Sequence, residues 1–202
     1  YFKGDIEIIF NEMIDPNTIK SSISIFPDTP IKISSFNNRI VIKSKNQWPK
    51  GQIFKIILSR NISDFYGNKL NRGKVLTYNT DKKIPIGNIS GKLFNNNGIS
   101  NIGLYKLDKD SIIFLYSVEN NNNNDFEFQN VPNGKYLLIG LENSINNIEE
   151  DIRINRYALM SEKIVINSDT INNCNLNFSY PAIRKRTKLF QIQNSGYATI
   201  EF

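Results

Sequence analysis

Apolar residues recur at every second position in short runs along most of the chain, and turn-forming residues separate the runs. That period belongs to strands with one buried face, not to helices. Asp5-Ile6-Glu7-Ile8-Ile9-Phe10 opens the series. Asp15-Pro16-Asn17-Thr18-Ile19 predicts one helical turn, with Asp15 as N-cap and Pro16 at the first helical position. Ile23–Phe26 and Ile31–Ile33 predict short strands bounded by Pro27 and Pro30. Arg39–Lys43 follows the Asn37-Asn38 turn, and Phe54–Leu58 follows the turn Trp48-Pro49-Lys50-Gly51. The loop Ile62–Leu70 leads to Lys74–Tyr78, which closes the unit.

Residues 79–85 read as a linker. A second series of strands then begins: Ile86–Leu93, Asn101–Leu107, Ile112–Val118, Phe126–Phe128 and the strongly apolar Lys135–Leu141. Asn95-Asn96-Asn97-Gly98 and Val131-Pro132-Asn133-Gly134 are turns between them. Glu142–Arg153 reads as a loop, and Lys163–Ile166 and Asn175–Phe178 as further strands. Strands at this spacing, with no amphipathic helix between them, predict an all-β fold of tandem antiparallel β-sandwiches. The predicted units are 1–83, 84–180, and 181–202 as a connector and the first strand of a further β domain. The chain enters a strand pattern at once and stops inside another, which predicts that it is part of a longer protein.

Three segments of the first unit carry a family pattern: Ile6–Thr18 with Phe10-Asn11-Glu12-Met13-Ile14-Asp15-Pro16, then Trp48–Ile56, then Ile62-Ser63-Asp64-Phe65-Tyr66-Gly67-Asn68-Lys69-Leu70. Residues 1–83 resemble the bacterial Ig-like domain of surface-layer and envelope proteins, with the first strand missing. In the last segment Gly67 and Asn68 are residue types that accept positive φ, and Asp64 can accept from backbone amides two residues on. A calcium ligand is the other reading of Asp64.

In the second unit the pattern lies in Ile89-Ser90-Gly91-Lys92-Leu93, Gly103–Leu107 and Phe126-Glu127-Phe128-Gln129-Asn130-Val131-Pro132-Asn133-Gly134-Lys135-Tyr136. It resembles carboxypeptidase-regulatory-like, transthyretin-like sandwiches, a module without peptidase chemistry of its own. Alternation puts Phe126 and Phe128 on one face, and Pro132 and Gly134 turn Tyr136 back into the sandwich. The two units in this order resemble Ig-like-domain envelope lipoproteins of Bacteroidota-type bacteria. The resemblance implies a lipoprotein signal upstream and an acidic loop after Lys135–Leu141. Here that loop is Glu142–Asp151, where Glu replaces the leading Asp and the spacing departs from an ordered calcium loop, so a solvated loop and a calcium site are both considered.

Composition sharpens the β reading. The 202 residues include 33 Ile and 31 Asn but only three Ala. β-branched residues suit a pleated sheet, and Ala is the best helix former. Ile, Asn and Lys have A/T-rich codons, so the Asn richness reads as the mark of a low-G+C genome. Net charge is +6. Residues 1–83 carry 14 basic and 7 acidic side chains, a balance of +7, whereas residues 84–166 carry 7 and 10, a balance of −3. The basic residues of the first unit (Lys32, Arg39, Lys43, Lys45, Lys55, Arg60) are spread singly along strands, as on a solvated face. The cluster Arg184-Lys185-Arg186-Thr187-Lys188 reads as a connector, since no aromatic platform interleaves it.

The chain has no His and one Cys. A Ser-His-Asp triad, an intrachain disulfide and a multi-Cys zinc site are therefore impossible. There is no Walker loop and no G-x-G-x-x-G. The acidic groups Glu149-Glu150-Asp151 and Asp108/Asp110 read as solvated turns, and Cys174 as a small buried residue. No catalytic, cofactor-binding or metal residue is assigned, and no cofactor is expected.

The expectation is a non-catalytic structural or adaptor subunit of a bacterial cell-envelope assembly, at the outer membrane or surface. Its partners would be other envelope or outer-membrane proteins and not nucleic acid, with membrane contact only through a lipid anchor outside this chain. A carbohydrate-binding module using Tyr66, Trp48, Tyr105 or Tyr116 is the alternative, as is an accessory part of a larger surface enzyme.

Overall fold

The computed structural model describes residues 2, 4–80, 83–109, 111–142, 152, 155–167, 171–179, 189–192 and 198–201. The first unit holds two three-stranded antiparallel sheets. One has β1 (Ile6–Ile9), β4 (Arg39–Ser44) and β3 (Ile31–Phe36) in the order β1-β4-β3. The other has β2 (Ile23–Phe26), β5 (Ile53–Leu58) and β6 (Lys74–Asn79) in the order β2-β5-β6. Between β1 and β2 lies a single turn of helix, α1 (Pro16–Ile19). Asp15 caps it by accepting from the Asn17 amide at 3.0 Å, with Pro16 opening the turn, as the sequence implies.

Alternation places Ile6, Ile40 and Ile42 on the inner face of one sheet and Phe54, Ile56 and Leu58 on that of the other, and these residues form one core cluster. Trp48 stacks on Phe54 with 4.6 Å between ring centroids, and its indole N–H donates to the Gly4 carbonyl at 2.8 Å. The buried ring thus keeps its one polar group satisfied. On the opposite face of β1 and β4, Arg39 pairs with Glu7 and Lys43 with Asp5 (2.6 Å). These two basic residues lie on a solvated face, as the sequence implies, and the structure adds an acidic partner to each.

The second unit also has two sheets. One contains β7 (Gly87–Phe94), β10 (Asp125–Val131) and β14 (Ile171–Asn177) in the order β10-β7-β14. The other contains β8 (Asn101–Asp108), β9 (Ser111–Glu119), β11 (Gly134–Leu141) and β12 (Tyr157–Leu159) in the order β12-β11-β8-β9, with β13 (Ile164–Ile166) also pairing with β11. Phe126, Phe128, Tyr136, Leu104, Leu138 and Leu176 belong to its core. Phe126 and Phe128 share the inner face, edge to face at 6.2 Å. Tyr136 turns back into the core and its hydroxyl donates to the Pro132 carbonyl at 2.8 Å. A two-stranded ladder, β15 (Leu189–Ile192) with β16 (Ala198–Glu201), follows.

Not every pair is antiparallel: β14 runs parallel to β7. Its predecessor β13 pairs in the other sheet, so the chain crosses between sheets before β14 starts. A crossing connection permits parallel pairing, which a hairpin does not. Gly91 makes the approach possible, because a Cβ there would lie 1.2 Å from the Cys174 carbonyl oxygen. Side-chain amides reinforce the pair: Ser90 donates to Asn173 at 2.9 Å, and Asn95 to Asn177 at 2.8 Å.

Candidate functional site at the junction of the sandwiches

Strand β5 carries apolar residues at both parities. Phe54, Ile56 and Leu58 enter the first core, while Ile57, with Phe26 and Val75, packs against the core of the second unit. Lys55 has the same parity as Ile57 and is only 3% exposed. It is therefore not the solvated strand lysine that the sequence suggests, because the outer face of this sheet is covered by the second sandwich. Its ammonium donates to the Gln129 carbonyl at 2.8 Å and to the Thr77 hydroxyl at 3.1 Å. It also lies 5.1 Å from the centroid of the Tyr116 ring, within cation–π range. Burial pushes the Lys55 amine down to about 8 from its ordinary value. The same enclosure raises the Tyr116 phenol, with Tyr136 adding to the effect.

A second anchor lies at the end of β9. Arg60 Nε donates to Glu119 at 2.9 Å and another guanidinium nitrogen donates to the Asn120 carbonyl at 2.9 Å. The Ser59 hydroxyl donates to the other Glu119 carboxylate oxygen at 2.9 Å. Both charged side chains are mostly buried, at 15% and 11% exposed. Gly73 leaves room for the carboxylate, since a Cβ there would come within 3.1 Å of Glu119 Oε2. Behind it, Asn120 accepts from the Ser100 amide at 2.6 Å and donates to the Asn124 side chain at 3.1 Å. Arg60 is thus the second basic residue of the first unit that serves the junction and not a solvated face.

An open cleft of about 1650 Å³ runs beside this contact. Arg72 and Lys74 stand on one wall, and Asp125, Glu127 and Asn173 on the other. Its walls carry hydrogen-bonding groups of both charge signs and little aromatic surface. Among the described residues no three His, Cys, Asp or Glu side chains are grouped to hold a metal ion. Among the same residues no helix is long and apolar enough to cross a membrane.

The candidate residues from the sequence are scattered. Trp48, Tyr105 and Tyr116 are buried in packing, which removes them as a sugar platform. Tyr66 is 92% exposed and stands on the turn far from that packing role. Asp64 caps its loop: it accepts from the Tyr66 amide at 2.8 Å, the Asn68 amide at 2.8 Å and the Asn68 side chain at 2.7 Å. The Asn68 side chain leads the interactions that hold its carboxyl below the usual range. Gly67 takes positive φ there, at 85°, whereas Asn68 does not. Glu12 comes up against Asp64, and the hydrogen bond and charge between them raise the Glu12 carboxyl. Cys174 is buried, and burial raises its thiol. Glu142 accepts from Arg156 and from the Asn97 amide, at 2.8 and 2.9 Å. The rest of the Glu142–Asp151 loop, Asp110, and the basic cluster 184–188 lie outside the described residues.

No curated protein sequence matches the chain. Among solved structures it is similar to BcpA, the major pilin subunit of Bacillus cereus, at a TM-score of 0.32 and 10% identity. That match covers 88% of this chain and 59% of the pilin chain. The native E. coli alpha-2-macroglobulin is similar at a TM-score of 0.31 and 8% identity, over 87% of this chain and 13% of that one. The group B streptococcus pilus 2b backbone protein is similar at 0.26 and 9%, over 87% and 84%. Residues 2–80 match the family model of the bacterial Ig-like domain, so the first of the two sandwiches carries the pattern of that domain.

Proposed function

We propose that the chain is a non-catalytic structural or adaptor part of a bacterial cell-envelope assembly, in which two sandwiches are docked to act as one stiff body. The observation that carries this reading is Lys55: a strand lysine of the first unit, buried and bonded to the main chain of the second. Burying an ammonium is costly unless it is fully engaged. A chain that only tethered two modules would leave this lysine in water. The mostly buried Arg60 and Glu119 are likewise used in holding the units together, and the buried Asp64 in shaping a loop. The bacterial Ig-like match of residues 2–80 supports the envelope setting.

On this reading the second unit is a carboxypeptidase-regulatory-like, transthyretin-like sandwich. The longer protein is an outer-membrane-associated lipoprotein with other envelope proteins as partners. Capture of a tagged full-length protein from gently solubilised envelopes tests this. Co-purification of envelope proteins, lost in a variant with the junction broken, is the expected result. A monomer recovered free in the cytosolic fraction would overturn it.

A further inference from the structure

Asparagine followed by glycine is the sequence in which the main chain most readily attacks a side-chain amide. Glycine has no Cβ to shield its nitrogen, and its backbone turns freely. Two of the 31 Asn precede Gly: Asn97 and Asn133. The fold treats the two pairs differently. Gly134 opens β11 and is paired with Ile166 of β13. Across the same turn the Tyr136 hydroxyl donates to the Pro132 carbonyl at 2.8 Å, and a Cβ at Gly134 would meet the Tyr136 side chain at 3.2 Å. The Gly134 nitrogen therefore cannot swing toward Asn133 without opening this packing.

Asn97 and Gly98 lie in the irregular connection between β7 and β8, and both are exposed. Among the described residues no hydrogen bond engages the Gly98 amide or the Asn97 side chain. Nothing lies within 4 Å of where a Cβ on Gly98 would stand. The attacking nitrogen and the carbon it would reach are both open to water. We propose that Asn97 is a self-modifying site, which converts to aspartate and isoaspartate without an enzyme, and that the isoaspartyl form loosens the anchor between the two sandwiches.

The Gly98 nitrogen gives its proton to water and bonds to Cγ of Asn97. The bond from Cγ to the side-chain nitrogen breaks, ammonia leaves, and a succinimide ring remains. Water then adds to either ring carbonyl. One opening restores the ordinary main chain with an aspartate. The other routes the main chain through the side-chain carboxyl and lengthens it by one carbon. The net change is one water in and one ammonia out, with nothing oxidised or reduced. The Gly98 carbonyl accepts from the side chains of Asn96 at 2.7 Å and Asn120 at 3.2 Å. Asn120 in turn accepts from the Arg60 guanidinium through its own carbonyl. A longer main chain before Gly98 draws that carbonyl off Asn120, next to the Arg60–Glu119 pair. Losing bonds of this kind shifts Tm by a few degrees.

Peptide mapping of the folded chain during several weeks in mildly alkaline buffer tests the proposal. The tryptic peptide Leu93–Lys106 should gain the mass of exchanging NH2 for OH at least tenfold faster than the peptide that holds Asn133. Labelling with an isoaspartyl methyltransferase should place isoaspartate at position 97. In urea the two sites should convert at similar rates, because the fold no longer protects Asn133. Ion-exchange fractions that hold isoaspartate should melt a few degrees below the unconverted chain. Asn97→Gln should age without that loss. Asn97→Asp, which brings the charge without the extra carbon, should melt closer to the unconverted chain. Equal conversion of Asn97 and Asn133 in the folded chain overturns the proposal. So do isoaspartyl fractions that melt with the unconverted chain.

Discussion

Arg60 and Glu119 lie 59 positions apart in the chain, and their side chains meet at 2.9 Å across the boundary between two sandwiches. The pair is mostly shielded from water and each partner has further hydrogen bonds. Its removal on one side leaves an uncompensated charge. Glu119→Ala should lower the unfolding free energy by about 3 kcal/mol, the low end for breaking a buried pair. Urea unfolding followed by fluorescence checks the magnitude. Calorimetry should show the single transition broadening or splitting as the units uncouple.

Lys55 makes stability depend on pH in an unusual direction for a folded protein. Its amine titrates near 8 in the folded state but at about 10.4 when unfolded. Between those values the unfolded chain binds more protons, so this group makes stability rise with pH. The span corresponds to about 3 kcal/mol. Lys55→Met removes the dependence. The stability of the native chain relative to this variant should increase from pH 7 to pH 10, as urea titrations at each pH would show.

The Asp64 cap acts with the same sign at lower pH. Its carboxyl is held low by Asn68 and its other donors, so its contribution is present above the unfolded value of about 3.9 and is lost as pH falls through the folded value. Asp64→Ala should lower Tm by a few degrees at neutral pH. The difference should shrink in strong acid. Glu12→Gln removes the like charge beside it and should leave Tm unchanged or slightly higher.

The pairing of β14 with β7 depends on Gly91. Gly91→Ala drives a methyl group into the Cys174 carbonyl and should prevent folding of the second unit, giving insoluble protein or a loss above about 4 kcal/mol. Gly98→Ala meets no atom within 4 Å and should cost only about 1 kcal/mol for its positive φ. The buried Cys174 thiol reports on the outcome: it should react with a thiol reagent only on unfolding.

Much of the fold was legible because alternation is local. The first-unit strands, the Asp15 cap and the Phe126–Tyr136 turn each depend on a few neighbouring residues. The junction is a tertiary fact and was not legible in the same way. Its trace was present in Phe54-Lys55-Ile56-Ile57-Leu58, where Ile57 breaks strict alternation and marks a strand buried on both faces. Lys55 at the same parity had then to be buried too. Parallel pairing of β14 leaves no hairpin signature, and the three residues of β12 are too few to show a period.

Asparagine was undervalued for a different reason. Codon usage says nothing about where the Asn residues fall. Of five non-glycine residues at positive φ, among the described residues, four are Asn: Asn37, Asn95, Asn124 and Asn130. Short amides tolerate that backbone region better than other side chains do.

The central claim is that the two sandwiches form one stiff body through Lys55 and the Arg60–Glu119 pair. Backbone residual dipolar couplings measured in one alignment medium test it most directly. The account predicts that couplings from residues 4–80 and from 87–141 fit a single alignment tensor, and that Arg60→Ala with Lys55→Ala splits it into two. Two tensors of different magnitude in the native chain would contradict it.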